Sequence, residues 1–168
     1  HDNEKSWRKR GVRAVIMYPM NALVSDQVSR LRRLLGDGNG KFLDIFRKHC
    51  GNKRRPQFGM YTGRTPYPGK NTQKTQDKAL ANTLKEFLPN EQNRKYLEKL
   101  QKEGKVPAKK DLQKFIENLK VNKHITHVDD AELITRFEMQ ACTPDILITN
   151  YSMLEYMLIR PIEAKIWD

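Results

Sequence analysis

Along the chain, apolar positions alternate between short solid runs and helical stripes. Residues 12–18, VRAVIMY, form a run that ends at Pro19. Its length and β-branched content predict a buried strand of a parallel sheet. In the next segment Leu23, Val24, Val28, Leu31, Leu34 and Leu35 recur at helical spacing, which predicts an amphipathic helix. Arg30, Arg32 and Arg33 sit near its C-terminal end, where cations complement the helix dipole, and are expected on a solvated face. Gly36 and Gly38 stop it. Phe42, Ile45 and Phe46 mark a second amphipathic segment over 41–49. A basic loop at 52–56 then leads to another strand, QFGMYT at 57–62, closed by the turn segment GRTPYPG. Strand, helix and strand over this length are what a right-handed crossover in a parallel sheet requires.

From Lys70 to about His127 the texture changes. Three short amphipathic stripes appear: Leu80, Leu84, Phe87 and Leu88; Tyr96, Leu97 and Leu100; and Leu112, Phe115, Ile116 and Leu119. Pro89 and the 104–107 stretch separate them, so residues 70–128 read as a basic helical insertion between two sheet-forming parts, 1–69 and 129–168. In the last part, residues 129–140 are expected to be a helix carrying Leu133, Ile134 and Phe137. DILIT at 145–149 is expected to be a third buried strand, and NYSMLEYMLIRP a turn and helix ended by Pro161. The expected fold class is α/β: a partial parallel sheet with flanking helices and a helical insertion.

Charge sharpens this picture. The 168 residues hold 32 Lys and Arg against 20 Asp and Glu, a net charge of +12. Residues 1–69 carry 15 basic and 5 acidic side chains, residues 70–128 carry 14 and 7, and residues 129–168 carry 3 and 8. A basic front with an acidic tail suits a polyanionic partner, because Lys and Arg displace counterions from phosphates. A solvated Lys-rich surface is the plainer alternative. Hydrophobic residues make up 38% and mean hydropathy is −0.80, lean for a globular chain. No apolar run is long enough to cross a bilayer, and HDNEKSWRKRG lacks a signal pattern. Two cysteines, Cys50 and Cys142, are too few for a disulfide scaffold. Neither they nor His49, His124 and His127 have zinc-module spacing. A cytoplasmic chain with no membrane partner is expected.

Two segments carry a resemblance. YPMNALVSDQ (Tyr18–Gln27) and PDILITNYSMLEYMLIRP (Pro144–Pro161), joined by YTGRTP (Tyr61–Pro66), resemble the first RecA-like domain of superfamily-2 DEAD/DEAH-type helicases. The likeness is to bacterial and archaeal helicases that carry a YPMNAL segment. Pro19–Gln27 matches their motif Ia and Thr149–Leu154 their motif Ib. The resemblance covers residues 11–69 and 129–168 and says little about 70–128. It implies an ATP-dependent helicase or translocase that closes two RecA-like domains on a single strand. It also implies that three turns form a single-strand track through Pro19, Asn21, Ser25, Thr62, Gly63, Arg64, Thr65, Thr149, Asn150 and Ser152.

Physical chemistry makes those roles reasonable. Turns at the carboxyl ends of parallel strands collect ligands, and helix N-termini there offer free N–H groups to phosphate. Arg64 would add a guanidinium, and Gly63 a close approach of backbone. Contacts of this kind carry little base specificity. Asn21, Asn150 and Ser152 could equally serve as helix caps. Met17, Met20, Met153 and Met157 are expected in the core.

The family's catalytic parts are not in this sequence. No GxxxxGK[ST] loop occurs; GDGNGK (Gly36–Lys41) and TPYPGKNT (Thr65–Thr72) lack its spacing and context. No DExH or DExD tetrad occurs either. The expectation is a fragment from the middle of a motor domain, without hydrolytic activity alone. ATP and Mg²⁺ would belong to the parent, single-stranded DNA rather than RNA would be the nucleic-acid partner, and the remainder of the helicase chain the protein partner. Exposed sheet edges would favour self-association. A rival reading is a non-catalytic binding adaptor acting through residues 70–128.

Overall fold

The computed structural model describes residues 9–19, 21–36, 40–50, 54–66 and 73–167. Met20, Gly38, residues 51–53 and residues 67–72 lie outside the described residues, as do the side chains of Asn21 and Cys50.

Four strands, β1 (Ala14–Tyr18), β2 (Phe58–Tyr61), β3 (Glu132–Leu133) and β4 (Ile146–Asn150), build one all-parallel sheet in the order β1-β4-β2-β3. The helices are α1 (Asn21–Leu35), α2 (Lys41–Cys50), α3 (Gln73–Lys85), α4 (Arg94–Lys102), α5 (Leu112–Lys120), α6 (Arg136–Ala141) and α7 (Tyr151–Ile159), followed by a 3-10 turn, Pro161–Ile166. The three apolar runs become β1, β2 and β4, and the chain is α/β as its pattern predicts.

Alternation along the strands divides the core into two layers. Ile146, Ile148 and Phe58 face the α1 stripe of Val24, Val28, Leu31 and Leu35. Leu147, Tyr61 and Leu133 point the other way, against Met139 of α6, Met157 of α7 and Ile166. Met17, expected in the core, is instead 50% exposed, because β1 is an edge strand of the described sheet and its outer face has no covering helix.

The insertion forms its own small core, in which α3 and α5 bury Ala81, Leu84, Phe115, Ile116 and Leu119, with Ile134 seated against them. Asp111 caps α5 by accepting the Lys114 N–H at 2.9 Å. Tyr96 does not join a buried stripe; it is exposed, and only Leu97 of α4 is fully buried.

One expected element is different. Residues 129–140 do not make a continuous helix but the two-residue β3 and the short α6. Asp130 accepts the backbone N–H groups of His127 and Lys110, both at 2.8 Å, which holds the chain in a turn. Ala131 then donates to Ala108 O at 3.0 Å and accepts from Phe58 N at 2.9 Å, an extended pairing. The helix begins only at Thr135, whose hydroxyl and Glu138 form a reciprocal capping box.

Candidate nucleic-acid interface

Register sets the site. Tyr18 pairs with Asn150 across β1 and β4, and Thr149 pairs with both Met17 and Tyr61. The three strands therefore end level, and the residues that follow them stand side by side in the strand order β1, β4, β2. Residues distant in sequence share one carboxyl edge of a parallel sheet.

Within that row the side chains divide into two groups. Thr62, Thr65 and Thr149 are buried and face inward. The Thr65 hydroxyl donates to Met60 O at 2.6 Å and accepts Thr62 N–H at 2.8 Å. The Thr62 hydroxyl accepts Arg64 N–H at 3.2 Å, and Thr149 donates to Tyr61 O at 2.7 Å. These threonines shape the turns. Asn150 is half-buried and caps α7 by accepting Met153 N–H at 2.8 Å, so the cap is Asn150 and Ser152 sits exposed in the first turn. Pro19, Ser25, Gly63, Arg64 and Ser152 face solvent. The Arg64 guanidinium has no hydrogen-bonding or ion-pair partner among the described residues. A Cβ built on Gly63 would meet nothing within 4 Å, and its φ lies outside the left-handed region. Backbone approach at Gly63 is therefore open from outside.

Two residues behind this row had no clear role in the sequence. Arg136 donates to Thr62 O at 2.7 Å and lies 4.9 Å from the Tyr61 ring centroid, so it braces the 62–65 turn from below. The Tyr61 hydroxyl donates to Glu163 at 3.0 Å and accepts from Gln140 at 3.2 Å. Burial pushes the Tyr61 phenol up to about 12; the Gln140 hydrogen bond works against this and Glu163 adds to it. The folded chain thus holds this proton above the ordinary value of 10.0. The stability it contributes is complete below about pH 10 and is lost as pH rises toward 12. In a phenolate absorbance titration, Tyr61→Phe is expected to remove a tyrosine step at about 12 from the folded chain. A titration unchanged by the substitution would contradict this.

Charge, too, is arranged differently from its order along the chain. Five acidic groups of the 129–168 stretch, Asp130, Glu132, Glu138, Asp145 and Glu163, are buried. Arg32, expected on a solvated face, forms a two-point pair with Glu132 at 2.7 Å and 2.7 Å. Arg54 does the same with Asp145 at 2.7 Å and 2.7 Å. Lys109 lies between Asp130 and Glu138. The acidic tail thus supplies internal counter-charge to Arg32, Arg54 and Lys109.

Two other chemistries fail on geometry. His124 contacts Asp77 at 3.3 Å and Thr135 Oγ at 3.0 Å, in the order of a hydrolytic triad. The Thr135 hydroxyl is fully buried and already accepts Glu138 N–H at 3.2 Å, so no substrate reaches it; the trio ties α3 to α6. Burial raises the Cys142 thiol pKa, which weakens it as a nucleophile. Among the described residues no group of three His, Cys, Asp or Glu could hold a metal ion. The buried carboxylates Glu132, Glu138, Asp130, Asp145 and Glu163 are engaged by Arg, Lys or Tyr, and Asp77 by His124, a donor set that does not fit Mg²⁺-ATP. Among the described residues no helix is long and apolar enough to cross a membrane.

Fold and edge together define a parallel α/β unit whose carboxyl edge leaves Pro19, Ser25, Gly63, Arg64 and Ser152 open to solvent. Over 188 aligned positions the chain is 38% identical to the Druantia protein DruE of Escherichia coli (strain UMEA 4076-1). That alignment takes in 99% of this chain and 10% of the relative's length. No protein-family model matches the chain. No solved structure matches it with significance.

Proposed function

We propose that this chain is part of the first motor domain of a superfamily-2 helicase or translocase, and that its carboxyl-edge turns hold the backbone of single-stranded nucleic acid, DNA in preference to RNA. The observation that carries the reading is the level ending of β1, β4 and β2, which puts Pro19, Ser25, Gly63, Arg64 and Ser152 on one open edge. The threonines and Arg136 set the turns, while Arg64 and the free N–H groups of α1 and α7 meet phosphates. The YPMNAL and TNYSML segments support it. In this reading ATP and Mg²⁺ bind elsewhere in the longer protein, and no step is assigned to them here.

The adaptor reading for residues 70–128 has less support. The insertion sends Lys109 into the carboxylates behind β3 and α6, and His124 onto Thr135. It is wired into the sheet rather than appended to it.

Anisotropy titration with a labelled single strand tests the proposal. Affinity is expected to fall as salt rises, by about 0.7 log units per log unit of salt for each phosphate neutralised. Arg64→Ala is expected to lower that slope by about one contact without changing the melting temperature. Gly63→Ala is expected to leave stability within about 0.5 kcal/mol and weaken strand binding by crowding the backbone. Salt-independent affinity, or full affinity in both variants, would overturn the proposal.

A further inference from the structure

A second basic feature lies at the other end of the sheet. α1 starts beside the carboxyl edge and runs back along the strands, so its 15 residues carry its C-terminal end about 22 Å away. There, the end of α1, Arg55 ahead of β2, and the α4–α5 connection enclose an open cleft of about 750 Å³. That volume is within the usual size of small-ligand sites.

Six cations line the cleft, and they differ in engagement. Arg32 is matched by Glu132, and Lys109 by Asp130 and Glu138. Arg55 donates to the carbonyls of Asp129 and Leu35, which covers the negative end of α1 with positive charge. Arg33, Lys102 and Lys110 are exposed and have no carboxylate partner among the described residues. The one acidic residue of the lining, Glu98, lies 3.9 Å from Arg94 on its own helix. Val106, Pro107 and Ala108 form an apolar strip along the same wall.

Three uncompensated cations converging on a cleft with an apolar strip suit a ligand that carries phosphate on a partly apolar frame. We propose that this cleft is a second phosphate-binding site, distinct from the carboxyl edge, which takes a phosphate-bearing nucleotide unit. Such a unit comes either as a free nucleotide or as part of a nucleic-acid chain. The inference does not rest on the helicase reading, since the residues and the end of the sheet are different.

The test compares the double variant Arg33→Glu/Lys110→Glu with a control of equal charge change outside the cleft, Lys78→Glu/Lys120→Glu, in the 168-residue chain. A milder pair, Arg33→Gln/Lys110→Gln, covers the case in which charge reversal impairs folding, and circular dichroism checks each variant. The probes are a nucleoside triphosphate, a labelled single-stranded 20-mer and a poly-glutamate peptide. The cleft variants are expected to lose about tenfold or more in affinity for a phosphate-bearing probe, with the control losing less than about threefold. Loss for the nucleotide identifies a free-nucleotide source; loss for the 20-mer alone identifies a strand. Strand binding retained in the cleft variants but lost in Arg64→Ala would separate failure here from failure at the carboxyl edge. Equal losses in cleft and control variants, no loss in the cleft variants, or binding of the peptide alone would overturn the proposal.

Discussion

Lys109→Met is expected to lower the unfolding free energy by about 3–5 kcal/mol, a large share of what a domain of this size has. The Lys109 ammonium is fully buried, 3.2 Å from Asp130, in contact with Glu138, and 4.3 Å from the Phe115 ring centroid. Asp130 also holds the N–H groups of His127 and Lys110, and Glu138 those of Ile134 and Thr135 together with the Thr126 hydroxyl. Both carboxylates are fixed by backbone and cannot turn to water when the lysine is removed. Two buried negative charges would then face each other with no cation between them. Adding Glu138→Gln is expected to restore part of the loss, since it removes one of those charges, so the pair should be less damaging than the sum of the singles. Urea denaturation measures this, and a single-variant loss under about 1 kcal/mol would contradict the burial of the trio.

Gly104→Ala is the second large effect expected. Gly104 has φ +71°, and a Cβ there would sit 2.1 Å from Ser29 O, a backbone atom of α1. Helix backbone does not yield as a flexible side chain does, so left-handed strain and overlap add, to about 2–5 kcal/mol. Gly40 separates the two causes: its φ is +73°, but a Cβ would meet nothing within 4 Å. Gly40→Ala is expected to cost about 1–2 kcal/mol from strain alone. Equal losses at both glycines would mean that the α4–α5 connection does not rest on α1. Together, Lys109 and Gly104 state that insertion and sheet fold as a unit, and deleting 70–128 should unfold the chain rather than isolate a function.

The hydrophobic pattern made β1, β2, β4 and α1 legible, because each is a local run or stripe whose burial follows from its own periodicity. The turn residues of the carboxyl edge were legible for a similar reason: they directly follow apolar runs. The strand β3 was not. Leu133, Ile134 and Phe137 have helical spacing, and what keeps the chain from a helix here is Asp130 holding the Lys110 N–H, 20 positions away, and Ala131 pairing with Ala108. Arg32 and Lys109 were hidden among many basic residues. Their partners Glu132 and Glu138 lie 100 and 29 positions away, and local charge patterning carries no record of pairs at that separation. The sequence also marked Thr62, Thr65 and Thr149 alongside Arg64 as strand contacts. Only the fold separates hydroxyls that turn inward to shape the turn from the groups that face outward.

Hydrogen exchange with and without a single-stranded 20-mer tests the central claim most directly. Exchange is expected to slow in the segments that hold 19–25, 62–65 and 150–153, since a bound strand would cover those turns. Protection confined to 94–120, with the three turns exchanging as in the free chain, would contradict a single-strand track on the carboxyl edge.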